Sequence, residues 1–150
     1  MSNSIVEIED TKCLFVFGYN AADSHPIVAR RIVKAKEKGA KIIVCDPRYI
    51  ETARLADLHL GLKNGSNIAL LNAIAHVIIE EGLHDKSFIE NHTEQFEEYC
   101  KLVESYTPES VEEITGLSAQ IIREAARMYA KAETATILWG DGCDSILPRC

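Results

Sequence analysis

The 150-residue sequence has no long apolar run and no surplus of positive charge. No stretch approaches the roughly 20 consecutive apolar residues of a membrane-spanning helix, so we expect no membrane insertion. With 16 basic and 23 acidic residues the formal charge is -7, which argues against sequence-independent nucleic-acid binding because that requires a basic surface. Residues 1–10 lack a basic start followed by an apolar segment, so no signal or transit peptide is predicted and a cytoplasmic location is expected.

The five cysteines contain no Cys-x-x-Cys pair, and their number is odd. This pattern favours reduced thiols over a disulfide framework, and it offers no ligand set for a structural zinc or an iron–sulfur cluster within the chain. The five histidines show no metal-ligand spacing either. We therefore assign no metal ligand, and the composition, 47% hydrophobic and 26% charged, indicates one ordinary globular domain.

The first fifty residues predict a strand, a helix and a second strand. An apolar run at 13–17 stops at Gly18, helical periodicity covers 26–38 and ends at Gly39, and a second apolar run covers 41–45. A right-handed crossover brings the carboxyl ends of two such parallel strands to one edge of a sheet. The predicted buried stripe of the helix comprises Ile27, Val28, Ile32, Val33 and Ala35.

The remaining sequence predicts a short helical turn at 49–54, a third strand at 56–62, a long helix at 67–81 that Ser66 caps, and a last strand at 135–139 followed by Gly140, Asp141 and Gly142. Between them, residues 83–132 predict short acidic helices, two of which begin at Thr107 and Ser118. The fold class is α/β, a Rossmann-like three-layer sandwich with a mainly parallel sheet and a helical subregion. The predicted buried stripe of the long helix comprises Ile68, Leu70, Leu71, Ile74, Ala75, Ile78 and Ile79.

Polar residues follow both of the first two strands, where open parallel sheets bind their ligands. The first loop, residues 18–25, leads to a helix N-terminus that can face an anion, although an ordinary strand-to-helix connection has the same pattern. Asp46 stands where dinucleotide-binding folds place an acidic residue, and it is equally a residue type for a turn or a cap. The first loop lacks the Gly-x-Gly-x-x-Gly spacing, so an NAD-dependent enzyme is the weaker interpretation.

Three blocks, residues 15–29, 39–48 and 62–72, resemble the catalytic subunits of formate dehydrogenases in the molybdopterin oxidoreductase superfamily. The resemblance covers nearly all of this chain but a small part of such a subunit. It implies that residues 1–142, with a helical subregion at about 83–132, form a domain binding bis-molybdopterin guanine dinucleotide with molybdenum or tungsten. The parent enzyme would oxidise formate to carbon dioxide by two electrons. Residues 143–150 depart from the family pattern, and Asp141 stands where an apolar residue is more usual.

The resemblance implies three cofactor-binding segments. Backbone N–H groups of the first loop, with the side chains of Asn20 and Ser24, would meet a pyrophosphate. In the second loop, residues 45–48, Asp46 would accept from guanine or ribose and Arg48 would offer a guanidinium fork. The third loop, residues 62–66, would close the remaining side. The implied site residues are Gly18, Tyr19, Asn20, Asp23, Ser24, Cys45, Asp46, Pro47, Arg48, Leu62, Asn64, Gly65 and Ser66.

The family's cysteine or selenocysteine metal ligand, its neighbouring histidine and its iron–sulfur cysteines lie outside the matched region. No residue here is therefore assigned as catalytic, and His25 is interpreted as a cap at a helix start or as a residue that supports the cofactor loop without contacting the reacting atoms. The expected partners are the remaining domains of the parent subunit and its electron-transfer subunits, with homo-oligomerisation through exposed apolar surface as a further expectation. The alternative is a stand-alone nucleotide-binding or protein-interaction module without redox activity.

Overall fold

A computed structural model describes residues 4–140, which form a four-stranded sheet and seven α-helices. The predictions for Asp141, Gly142 and the tail 143–150 concern residues outside the described range. Short 3-10 turns cover Ile5–Asp10 and Glu51–Leu55. The strands are β1 (Cys13–Phe17), β2 (Lys41–Cys45), β3 (Leu58–Leu60) and β4 (Ala135–Trp139); the helices are α1 (Ala21–Ser24), α2 (Pro26–Glu37), α3 (Asn67–Glu80), α4 (Lys86–His92), α5 (Phe96–Val103), α6 (Pro108–Thr115) and α7 (Ala119–Ala130).

All strand pairs in the sheet are parallel, and the order is β3-β2-β1-β4. The register aligns Phe17 with Cys45 on one side and with Trp139 on the other, so β1, β2 and β4 end together at one edge. The chain continues from β1 to β2 on one side, whereas β4 joins the opposite side of β1. This α/β architecture confirms the predicted fold class, and the third strand is shorter than predicted.

The core of the sheet is built on the alternation of side chains along β1 and β2. Leu14, Val16, Ile42 and Val44 are fully buried in one cluster with Ile32 and Ala35 of α2. The predicted stripe of α2 is partly wrong, because Ile27 is 71% exposed and Val33 is 38% exposed. The helix ends as predicted, with Gly39 in a left-handed conformation at φ +92°.

Contacts divide the chain into two compact units. The sheet unit contains the described residues up to Asn64 and those from Ala132 onward, and the helical unit is Gly65–Lys131. The helical unit includes α3 as well as the short helices that follow it, because α3 packs against α5, α6 and α7. Within residues 4–140 no helix has the length and apolarity needed to cross a membrane.

Helix starts in the helical unit follow the side-chain caps. Thr107 accepts a hydrogen bond from the Ser110 N–H at 3.2 Å, and Ser118 accepts one from Ile121 at 3.4 Å, which confirms both predicted starts. Ser66 precedes α3 but does not cap it through its side chain. The predicted stripe of α3 is also partly wrong: Leu70, Ala73, Ile74 and Val77 are buried, whereas Ile68 and Leu71 are exposed.

Asp57 ties α2 to the sheet through a cluster of charges. Its carboxylate accepts from Lys36 Nζ at 2.6 Å, Lys41 Nζ at 3.0 Å and the Ile42 N–H at 2.9 Å. Burial alone would raise the pKa of Asp57, but these hydrogen bonds outweigh burial and lower the pKa from 3.8 to about 2. The charged form is therefore stabilised by folding.

We expect Asp57→Asn to lower the free energy of unfolding by about 1–2 kcal/mol at pH 7. Because the folded-state pKa is depressed, this contribution is present above the unfolded value near 3.8 and is lost as pH falls toward 2. Urea denaturation followed by Trp139 fluorescence should show the gap between the two proteins closing across that range. Asp10→Asn, which removes an exposed ion pair with Lys38, is the matched control and should change stability little. A gap that stays constant down to pH 2 would contradict this assignment.

Candidate functional site

A backbone hydrogen bond joins the first and second loops. The Gly18 N–H donates to the Cys45 carbonyl at 2.9 Å, one residue beyond the last β1–β2 pair. Gly18 adopts φ +55°, a conformation that residues with a Cβ rarely adopt, and this turns the chain away from the sheet. Both loops therefore leave the same edge side by side, as the parallel pairing predicted.

The first loop folds on its own side chains. Asn20 Nδ2 donates to Asp23 Oδ2 at 2.6 Å, and Ser24 Oγ donates to the Asn20 carbonyl at 2.7 Å. These contacts accompany α1, a single helical turn that was not predicted. The Ser24 hydroxyl and one of the two amide hydrogens of Asn20 are thus used within the loop, whereas Asn20 Oδ1 is buried without a hydrogen-bond partner among the described residues.

The N-terminal end of α2 offers few donors to an anion. Pro26 has no N–H, and the N–H groups of Val28 and Ala29 both donate to the His25 carbonyl. His25 occupies the cap position, but its side chain makes no capping hydrogen bond, and its ring lies 5.6 Å from that of Tyr19. The expected anion contact at this helix start is therefore not supported by the geometry.

The second loop is a tight turn organised by Asp46, which is only 4% exposed. Asp46 Oδ1 accepts from the Arg48 N–H at 2.8 Å and lies 3.4 Å from Arg48 Nε. This is an Asx turn, so the turn role that the sequence left open is present. Pro47 is exposed, and the Arg48 side chain is 73% exposed, which leaves its guanidinium facing solvent.

His59 contacts the second loop, although no role for it was predicted from the sequence. Its Nε2 lies 3.0 Å from the Asp46 carbonyl oxygen, and its ring meets the edge of Tyr49 at 5.2 Å and 85°. The Asp46 N–H donates to the Leu60 carbonyl at 3.3 Å. A residue that alternates within a short strand gives no sequence signal for such a contact, because the contact depends on the strand register.

Gly140 is a second position that the implied site omits. It follows β4, and its N–H donates to the Phe17 carbonyl at 3.4 Å. A Cβ there would lie 2.9 Å from Tyr19 Cδ2 and 3.1 Å from the Gly18 carbonyl oxygen, so only glycine fits without displacement. Burial raises the pKa of Tyr19. Gly140 thus lets the first loop pack closely against the end of β4, on the side of β1 where the strand order reverses.

The third loop runs across the boundary between the two units. Leu62 is buried and Asn64 is exposed at the end of the sheet unit, whereas Gly65, at φ +84°, and the buried Ser66 belong to the helical unit. The structure thus brings the first loop, the second loop and Gly140 together at one edge of the sheet. Within residues 4–140 no group of three His, Cys, Asp or Glu side chains is arranged to hold a metal ion.

Open α/β sheets bind their ligands at the carboxyl edge of the strands, beside the point where the strand order reverses, and the two loops lie at that place. The family model described as "Molybdopterin oxidoreductase" matches residues 1–145. The chain belongs to the molybdopterin oxidoreductase family.

Two sequences and one solved structure show how this molybdopterin oxidoreductase chain relates to others. It is 70% identical over 142 residues to formate dehydrogenase H of Escherichia coli, covering 95% of this chain and 20% of the relative. It is 52% identical over 139 residues to the F420-dependent formate dehydrogenase 1 subunit alpha of Methanococcus maripaludis, covering 93% and 21%. The structure of acetylene hydratase from Pelobacter acetylenicus matches with a TM-score of 0.84 and 36% identity, covering 93% and 21%. The chain spans about a fifth of the length of these proteins.

We expect Gly140→Ala to destabilise the sheet unit by about 1–3 kcal/mol, because the new methyl group collides with the Tyr19 ring and the Gly18 carbonyl. Gly61→Ala is the control, since a Cβ at Gly61 meets only His59 atoms, the nearest at 3.4 Å. Urea denaturation gives the free energy of unfolding of both variants. Equal stability of the two variants would show that the close approach at Gly140 carries no energetic consequence.

Proposed function

We propose that this chain holds the guanine nucleotide portion of a bis-molybdopterin guanine dinucleotide cofactor in a molybdenum or tungsten formate dehydrogenase. The identities of 70% and 52% to formate dehydrogenases support the formate assignment. The reversal of strand order beside β1 supports a Rossmann-like nucleotide-binding role.

The observation that carries the proposal is the Gly18–Cys45 hydrogen bond, which holds two polar loops together at the edge of the sheet. The joined loops present an acceptor at Asn20 Oδ1, a carboxylate at Asp46 and an exposed guanidinium at Arg48. A nucleotide carries N–H and O–H donors on its base and ribose and negative charge on its phosphates. The three side chains offer the complementary groups.

The contacts that we propose agree with those implied by the resemblance for Asp46 and Arg48 and differ for Asn20. Asn20 Oδ1 is a buried acceptor without a partner among residues 4–140, so it suits an N–H or O–H donor and not a phosphate oxygen. We therefore assign the phosphate contact to Arg48, whose fork is 73% exposed. Asp46 Oδ1 shapes the turn, and Oδ2 is the acceptor that we assign to the guanine.

The bound cofactor would supply the metal centre at which formate loses two electrons and a proton. The residues of this chain would bind and orient the nucleotide end. The chain covers 20% and 21% of the two formate dehydrogenases, so we propose that the remaining polypeptide supplies the catalytic residues and the iron–sulfur cluster. Electron-transfer subunits would be further partners.

Two variants of Asp46 separate recognition from loop structure. Asp46→Asn retains an oxygen that can accept from the Arg48 N–H but lacks the carboxylate, whereas Asp46→Ala loses both. In calorimetric titration with GDP we expect both variants to bind at least about tenfold more weakly than the unaltered chain, since hydrogen bonds to charged groups are the stronger ones.

ADP is the control ligand, because adenine lacks the adjacent N–H donors with which guanine meets a carboxylate. GDP should bind more tightly than ADP to the unaltered chain, and Asp46→Asn should abolish that difference. Unchanged GDP affinity in Asp46→Asn, with loss only in Asp46→Ala, would reduce Asp46 to a turn residue. Absence of GDP binding by the unaltered chain would count against a guanine site formed by these two loops alone.

A further inference from the structure

We infer that His59 is a positioning residue that fixes the second loop in the conformation needed for nucleotide binding. This inference rests on the proposed function, and it adds to it a residue on a different strand. His59 lies on β3, pairs with Val44 in the sheet register, and reaches the loop that follows β2. His59 is half-buried.

The ring nitrogen at the contact must be the donor. A carbonyl oxygen only accepts, so the 3.0 Å approach of His59 Nε2 to the Asp46 carbonyl places the hydrogen on Nε2. The neutral ring is thereby fixed in one tautomer. The protonated ring would also donate from Nε2, so the contact does not depend on the charge of the histidine.

The Asp46 residue is held at three polar points. Its N–H donates to the Leu60 carbonyl at 3.3 Å, its C=O accepts from His59, and its Oδ1 accepts from the Arg48 N–H at 2.8 Å. The first contact extends the sheet and the third is internal to the turn. Among residues 4–140, His59 is the hydrogen-bond partner of the Asp46 carbonyl, and this contact orients the peptide plane that leads into Pro47 and Arg48.

A second contact holds the same loop from its far side. Tyr49, the residue after the second loop, meets the His59 ring in an edge arrangement at 5.2 Å between ring centroids. The imidazole thus touches the chain both at Asp46 and at Tyr49. Losing the ring would leave the nearly buried Asp46 carbonyl without this donor and would free the segment between the two contacts.

The test compares three replacements of His59 in the 150-residue chain. Gln can place an amide nitrogen near the position of Nε2 and donate to the carbonyl, Asn is too short to do so, and Leu has no donor. We expect GDP affinity to fall about tenfold in His59→Leu and His59→Asn and to recover in His59→Gln. A residue that only fills space would not distinguish Gln from Asn in this way.

Hydrogen exchange of the Arg48 amide gives a second readout that needs no ligand. This N–H is bonded to Asp46 Oδ1, so its exchange should accelerate about tenfold in the Leu and Asn variants and return toward the original rate in the Gln variant. His76→Leu is the matched control, because His76 Nδ1 contacts the Val103 carbonyl at 3.1 Å in the helical unit. It should leave both readouts unchanged.

The outcomes separate the two proposals. Unaltered GDP affinity and Arg48 exchange in His59→Leu would overturn the positioning role while leaving the proposed function intact. If the unaltered chain binds no GDP, the proposed guanine site in these loops fails. Arg48 exchange then decides the positioning role alone: faster exchange that Gln reverses supports it, and an unchanged rate overturns it.

Discussion

The hydrogen bond from the Gly18 N–H to the Cys45 carbonyl is the contact on which the candidate site depends. It is the last bond between β1 and β2, so the two loops begin side by side where they leave the sheet. The first loop begins at Gly18, which has a left-handed conformation. Gly18 and Tyr19 then lie so close to position 140 that only glycine fits there. Three strands therefore contribute to one edge through backbone geometry before any side chain is considered.

Side chains then decide what this edge can bind. The first loop uses the Ser24 hydroxyl and one amide hydrogen of Asn20 internally, and Asn20 Oδ1 stays a buried acceptor. The second loop uses one oxygen of Asp46 for its turn and exposes the cation of Arg48. The resulting pattern, acceptors near the sheet and one guanidinium in solvent, is suited to a base or ribose held close to the protein with its phosphates farther out.

Much of this architecture follows from the sequence. The apolar runs predict β1 and β2 with the bounds found, because buried parallel strands need apolar residues on both faces. The bounds of β4 are also those predicted, although its side chains are exposed or half-buried. Gly39, Thr107 and Ser118 mark helix ends through local chemistry that is visible in the sequence.

The remaining features depend on contacts between distant residues. Periodicity places Ile27 and Leu71 on apolar stripes, but the neighbours that would bury them are not encoded locally, and both are exposed. The roles of His59 and Gly140 arise from strand register, which no local pattern specifies.

The most direct measurement is a titration of the isotope-labelled chain with GDP, followed by amide chemical shifts. We predict changes in residues 18–24, 45–48 and 140, with little change at Lys12 and Lys41 on the opposite edge of the sheet; changes confined to other surfaces, or none, would contradict a nucleotide site at the carboxyl edge.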